Sequence, residues 1–228
     1  MEQELCIITI AYEETKELWD TYHSIQYLLQ KGTKWVVVIN QPLKKFIPPK
    51  NTTIIEGQDD DLYDALNIGL NEVDTDYFML LHSGDEILDP QAMLQSFSLM
   101  DGGYDCVIGG ALIGNRTHNS RFWQRWMFMF YVQPPHLPII YRSEVCLKLR
   151  YETSILTVAD FYYLKELFLK RNVTFKHSNK VYVNMKTGGL TTSGLKSFIH
   201  VTAAFIKVDG LRALFLSPFR FLLKLFLR

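Results

Sequence analysis

Short apolar runs, each closed by a polar or glycine-containing turn, punctuate the first half of the chain. They are Leu5-Cys6-Ile7-Ile8-Thr9-Ile10-Ala11, Trp35 to Ile39, Tyr77 to Leu81, and Tyr104 to Gly110. Continuous apolar runs of this length fit strands covered on both faces, as in a parallel sheet. After Thr15, the residues Leu18, Tyr22, Ile25, Leu28 and Leu29 recur at helical spacing, so the chain opens β-α-β with a right-handed crossover. Thr52 to Glu56 predicts a further short strand. Ala65, Leu66, Ile68, Gly69, Leu70 and Val73 then give a helix one apolar face ahead of the Tyr77 run. Asp89 and Pro90 stand as N-cap and first residue of a third helix carrying Ala92, Met93, Phe97, Leu99 and Met100.

Past Gly110 the pattern changes. Asn115 to Arg121 is polar, whereas Phe122 to Tyr131 is densely aromatic. Two readings stand for the aromatics: core packing, or an exposed face for sugar rings or a membrane surface. Val173 to Phe175 and Lys180 to Asn184 predict two edge strands. The last stretch, Leu211 to Arg228, is apolar but carries Arg212, Arg220, Lys224 and Arg228, which fall in one arc of an ideal helix. Pro218 interrupts it, and no uncharged run is long enough to span a bilayer. The pattern predicts an amphipathic helix lying on an anionic membrane face. A helix packed on the domain and a short tail anchor are the competing readings.

Composition narrows the class. At 228 residues the chain suits one large α/β domain. Lys+Arg and Asp+Glu are 24 each, which removes the basic footprint of a general nucleic-acid binder. Cys6, Cys106 and Cys146 are odd in number and lack metal spacing, as reduced buried thiols of a cytosolic protein do. The acidic start, Met1-Glu2-Gln3-Glu4, lacks the basic region of a signal peptide.

The candidate chemistry lies at the strand ends. A buried parallel strand ends at the ligand crevice of an open α/β sheet. Ser83-Gly84-Asp85-Glu86 therefore places carboxylate oxygens where a hard divalent cation and a phosphate-bearing ligand would meet. The ordered blocks Tyr63-Asp64-Ala65-Leu66-Asn67-x-Gly69, Asp76-Tyr77 and Leu81-His82-Ser83-Gly84-Asp85 resemble the nucleotide-sugar core of inverting glycosyltransferases of the large family two. Members serving bacterial surface polysaccharides typically read YDAMNKGI, GDY and LNSGD there. Ile8 to Tyr12 is similar to the family's opening strand and turn, and Ala11, Tyr12 and Glu13 would then touch the donor. The family's acidic turn after the second strand is replaced by Asn40-Gln41-Pro42-Leu43-Lys44-Lys45. Asn40 would meet the base, and Lys44-Lys45 reads as a solvated loop. Of Asp59-Asp60-Asp61, which open the second helix, Asp59 is the implied nucleotide contact. Two of the three also read as helix N-terminal acids, and Asp61 stands where the family has Gly.

Pro134 to Arg142 resembles the family block xxHQxxFYRR, with His136 and Arg142 matching and Leu137 in place of Gln. A satisfied buried histidine is the other reading of His136. Thr157 to Leu164 is similar to the family's ADYDL block, whose first Asp is the general base; Asp160 holds that position and Tyr162 replaces the second Asp. An inverting transfer needs such a carboxylate within reach of the acceptor hydroxyl. Read alone, Asp160 is a helix N-terminal acid. Met185 to Gly194 resembles the family's terminal GGxS loop, with Lys186 as diphosphate contact.

The resemblance implies an α/β, GT-A-type, Rossmann-like mixed sheet flanked by helices, with a C-terminal amphipathic helical tail. The expected division is a domain over 1–195, with a nucleotide-sugar half (1–110) and an acceptor half (111–195), and a membrane-associating tail over 196–228. The implied enzyme is a nucleotide-sugar-dependent hexosyltransferase in capsule or O-antigen synthesis, cytoplasmic and peripheral to the cell membrane. Asp85 would hold Mn2+ or Mg2+ with the diphosphate. Asp160 would be the base, and Asp64, Asn67, Ser83, Gly84 and His136 would line the donor site. The acceptor would be a glycan or lipid-linked oligosaccharide. The departures at Asn40, Asp61, Ser83 and Tyr162 also fit a catalytically silent partner subunit of a glycan assembly complex. A nucleotidyltransferase fits worse, because no Gly-rich basic loop follows the first strand.

Overall fold

The computed structural model describes residues 4–57, 61–155, 157–186, 195–216, 219–220 and 223. Strands β1 (Leu5–Ala11), β2 (Lys34–Ile39), β3 (Thr52–Glu56) and β4 (Tyr77–Leu80) run parallel, in the order β3-β2-β1-β4. All seven residues of β1 and the four of β4 are buried, as their uninterrupted apolar sequences require. The sheet continues through β5 (Glu86–Ile87), β6 (Cys106–Ile113), β7 (Arg116–His118), β8 (Ile139–Arg142) and β9 (Phe175–Met185). β8 lies antiparallel between β4 and β6, β9 is parallel to β6, and β5 closes that edge antiparallel to β9. The result is a nine-stranded mixed sheet flanked by helices, the α/β mixed-sheet architecture that the resemblance implies.

Helices α1 (Lys16–Gln30), α2 (Leu62–Asn71) and α3 (Pro90–Phe97) follow their predicted apolar faces. Asp61 caps α2, its Oδ1 accepting from the N–H groups of Tyr63 at 2.8 Å and Asp64 at 3.0 Å. That gives the Gly-to-Asp departure a structural role, although an Asp N-cap is better than Gly by only about a few tenths of a kcal/mol. Asp89 caps α3 in the same way, with Pro90 in its first turn. Thr15 stands at the N-cap of α1, but its hydroxyl makes no capping bond. Gly69 has a packing reason: a Cβ there would lie 2.6 Å from Ile8 Cγ2, so α2 sits on β1 only without a side chain.

Two expectations need correction, and one strand was not anticipated. Val173 to Phe175 and Lys180 to Asn184 are not two edge strands; one strand, β9, carries the second segment and is flanked by β6 and β5. Its register to β6 shifts near Gly110, which is why the apolar pattern breaks in two. β8 was not anticipated, since Ile139-Ile140-Tyr141 is too short to show a period. The basic arc of the tail is also broken. Arg220 is buried with its guanidinium 5.5 Å from the Phe205 ring, while Lys224 and Arg228 lie outside the described residues.

After α4 (Ser143–Cys146) and α5 (Ala159–Lys165), the chain ends in α6 (Leu195–Asp209) and α7 (Leu211–Leu216), separated by Gly210 at φ 65°. α6 buries Phe205 against Tyr131 and Phe161, and Asp209 accepts from Tyr131 Oη at 2.9 Å and Lys165 Nζ at 3.1 Å. Along the aromatic segment both readings apply: Trp123, Phe128 and Tyr131 are buried, while Phe122, Trp126 and Met129 are exposed. The three cysteines are buried and unpaired. Among the described residues, no helix is long and apolar enough to cross a membrane.

Candidate functional site

Parallel strands β1, β2 and β4 deliver their following loops to one edge, and backbone hydrogen bonds tie those loops together. Asn40 N–H donates to Ala11 O at 3.2 Å, Gln41 N–H to Tyr12 O at 2.9 Å, and Ser83 N–H to Ile10 O at 3.0 Å. Ala11, Tyr12, Asn40 and Ser83 therefore share one rim, with the Tyr12 ring 70% exposed. Glu13 is exposed beside them. Its neighbour Glu14 closes the loop at Lys44-Lys45, accepting from their N–H groups at 2.6 and 2.8 Å, a contact the sequence did not announce.

The turn after β4 holds Asp85. Gly84 adopts φ 96°, a conformation that favours glycine, and a Cβ there would meet Lys186 Cδ at 3.1 Å. Thr21 on α1 fastens the turn: its hydroxyl accepts from Gly84 N–H at 2.9 Å and donates to Asp85 O at 2.8 Å. The Asp85 carboxyl is buried, with Oδ1 accepting from Lys186 N–H at 2.8 Å. Desolvation pushes its pKa up to about 7, only partly opposed by the hydrogen bonds from Lys186 and within the His82 turn. Lys186 directs its ammonium to Asp20 at 3.4 Å, and Lys16 reaches the same carboxylate at 3.0 Å.

A buried carboxyl with so little compensation fits a hard cation whose remaining ligands come from phosphate and water. Among the described residues there is no cluster of three His, Cys, Asp or Glu side chains placed to hold a metal. Among the described residues Asp85 is thus a single buried carboxyl rather than part of a complete cage.

From this turn a row of side chains leads to the second carboxylate. His82 and His136 have ring centroids 5.9 Å apart, and His136 Nδ1 lies 3.7 Å from Asp160 Oδ2. Burial pushes His82 down to about 3, with His136 adding to the effect, so it is neutral at physiological pH. Burial likewise lowers His136, while the Asp160 carboxylate pulls the other way. His82 Nδ1 is buried with no hydrogen-bond partner among the described residues. Asp160 occupies the first turn of α5. Its Oδ1 accepts from Phe161 N–H at 2.8 Å and its Oδ2 from Gln133 Nε2 at 2.6 Å. Tyr63, buried on α2, faces the same carboxylate; burial, with the Asp160 charge adding to it, holds its phenol above its usual range.

Not every implied residue is free to meet a ligand. Asn67 clamps the backbone of Tyr151 from both sides, donating to its O at 2.9 Å and accepting from its N–H at 2.8 Å. Asp64 lies in the first turn of α2, half-buried. Asp59 and the Gly188-Gly189-Leu190-Thr191-Thr192-Ser193 loop lie outside the described residues. Gln133, Tyr63, His82 and Thr21 carry contacts at the site that the sequence reading missed. Only their placement in space brings them there.

No family model matches the chain, and no curated protein matches its sequence. Its fold is shared with solved glycosyltransferases. The S. aureus TarS 1–349 structure with UDP-GlcNAc aligns at TM-score 0.67 and 12% identity, over 92% of this chain and 69% of that one. TarS 1–349 with UDP aligns at TM-score 0.61 and 13% identity. The mannosyltransferase PcManGT from Pyrobaculum calidifontis, with GDP-Man and Mn2+, aligns at TM-score 0.64 and 11% identity, over 90% of this chain and 64% of that one.

Proposed function

We propose that the chain transfers a hexose from a nucleoside-diphosphate donor to a glycan hydroxyl, with inversion. The observation that carries this reading is the buried Asp85 in the turn that also holds His82, with the His82 ring facing His136 and His136 Nδ1 3.7 Å from Asp160. In the reaction the bond from the sugar C1 to the diphosphate oxygen breaks, and its electron pair leaves with the diphosphate. Asp160 takes the proton of the acceptor hydroxyl as that oxygen bonds C1 from the opposite face. Ala11, Tyr12, Glu13, Asn40, Asp64 and Ser83 line the nucleotide. Gly84 lets the diphosphate approach the backbone, and Lys186 leaves Asp20 to neutralise it. Asp85 would hold Mn2+ or Mg2+, whose charge stabilises the departing diphosphate. The UDP-GlcNAc and GDP-Man bound by the fold neighbours support this donor class.

The acceptor is a lipid-linked oligosaccharide of capsule or O-antigen type, met at the cytoplasmic membrane surface. Residues 195–228 hold six Lys or Arg, of which Arg220 is buried, and a single acid, Asp209, in a chain of zero net charge. Leu211, Leu214, Phe215 and Phe219 are exposed there, and Phe219 touches Phe130 next to exposed Met129. Apolar groups beside excess positive charge match an anionic bilayer. A silent partner subunit is the second reading, favoured by Asn67, whose amide is already committed to Tyr151. Release of UDP or GDP from a panel of nucleotide sugars with Mn2+ separates the two. Turnover abolished in Asp160→Asn supports the enzyme, and no turnover of any donor favours the silent subunit.

A further inference from the structure

Resting on the reading of Asp160 as base, we propose that Gln133 is a positioning residue, whose amide fixes which carboxylate lone pair faces the acceptor hydroxyl. Gln133 Nε2 lies 2.6 Å from Asp160 Oδ2. An ionised carboxylate only accepts, so the amide must present its NH2 group to it. The other oxygen, Oδ1, is held by Phe161 N–H at 2.8 Å. With one bond on each oxygen the carboxylate plane cannot rotate, and a base must be aligned before its proton transfer begins.

Gln133 is itself held in place. Tyr131, two residues before it, sits at φ 60°, a conformation uncommon for a bulky residue. Such a conformation persists where its surroundings over-determine it. Here Tyr131 stacks on Phe161, the neighbour of Asp160, packs on Phe205 of α6, and donates its hydroxyl to Asp209. A strained turn thus braces the amide, and the C-terminal helix braces the turn. The groups facing the carboxylate are His136, Gln133 and Tyr63, with Tyr151 behind Tyr63. Tyr63 keeps a protonated phenol facing the carboxylate, while Gln133 is the one whose side-chain nitrogen lies 2.6 Å from Oδ2. Its Oε1 is buried with no partner among the described residues, so nothing rewards turning the amide around.

The test uses the full chain with Mn2+ and UDP-GlcNAc or GDP-mannose, following nucleotide release with water or a simple alkyl glycoside as acceptor. Gln133→Met keeps the shape and removes the donor. It should lower kcat about 10- to 100-fold while the KM for the nucleotide sugar stays within about twofold. Gln133→Glu should be at least as impaired at pH 8 and recover towards wild type as the pH falls, because a protonated carboxyl donates where the amide did. A residue that only fills space would give neither the kcat-only loss nor the pH-dependent rescue. Wild-type kcat in Gln133→Met, with Asp160→Asn inactive, overturns the positioning role and leaves the base standing. Activity retained in Asp160→Asn, or no turnover by the wild-type chain, removes the base reading and this inference with it.

Discussion

The two halves of the site are built by different means. On the proposed donor side, backbone does most of the work: loops after β1, β2 and β4 are tied by main-chain bonds, and Asp85 sits in a turn set by a left-handed glycine. On the proposed acceptor side, side chains from distant segments meet, with Gln133, His136 and Tyr63 converging on Asp160. The first arrangement tolerates sequence change because backbone amides carry no identity. The second should fail with single substitutions.

The largest effect expected is on the acceptor side. Asp160→Asn should lower kcat by about 10²- to 10⁴-fold and leave nucleotide affinity within about twofold, as measured by turnover and calorimetry. Loss of affinity in that variant would mean the two halves are not separable. On the donor side, Asp85→Asn should abolish metal-dependent nucleotide binding yet stabilise the free protein at high pH. The sign follows from burial. With a folded pKa of about 7 against an ordinary value of 3.8, the folded protein binds the proton more tightly. Stability is therefore lost as pH rises from about 4 through 7. The variant should gain on the order of 2–4 kcal/mol at pH 8 and nothing at pH 4, read from denaturant midpoints.

Gly69→Ala tests the packing that seats the donor rim. A Cβ 2.6 Å from Ile8 should cost about 1–3 kcal/mol by overpacking, and an unchanged melting temperature would show that α2 does not hold β1 as described. The smallest effect belongs to Asp20→Asn. Its ion pairs with Lys16 and Lys186 are solvent-screened, so the melting temperature should be unchanged. Nucleotide affinity should rise if Lys186 is released to the diphosphate, and a fall would count against that role.

The same contrast governs what the sequence disclosed. β1, β2 and β4 were legible because strands buried on both faces leave unbroken apolar runs, and Asp89-Pro90 marked α3 through cap chemistry. Asp85 and Asp160 stood out through ordered motifs. β8 and the single strand β9 were not legible, one being too short for a period and the other broken by a register shift. Gln133 was silent because its contact with Asp160 spans 27 residues and follows from the turn at Tyr131. Asn67 looked like a ligand residue, while its partner Tyr151 stands 84 positions away and reveals a clamp. Phe205 and Asp209 likewise acquire their roles only once α6 lies on Tyr131.

The division of labour between the two carboxylates is tested most directly by calorimetric titration of UDP and GDP, with and without Mn2+. The wild-type chain, Asp85→Asn and Asp160→Asn would be compared. Metal-dependent binding of one nucleotide that is lost in Asp85→Asn and kept in Asp160→Asn is the predicted result. Binding that survives in Asp85→Asn, or that the wild-type chain lacks for both nucleotides, would contradict the account.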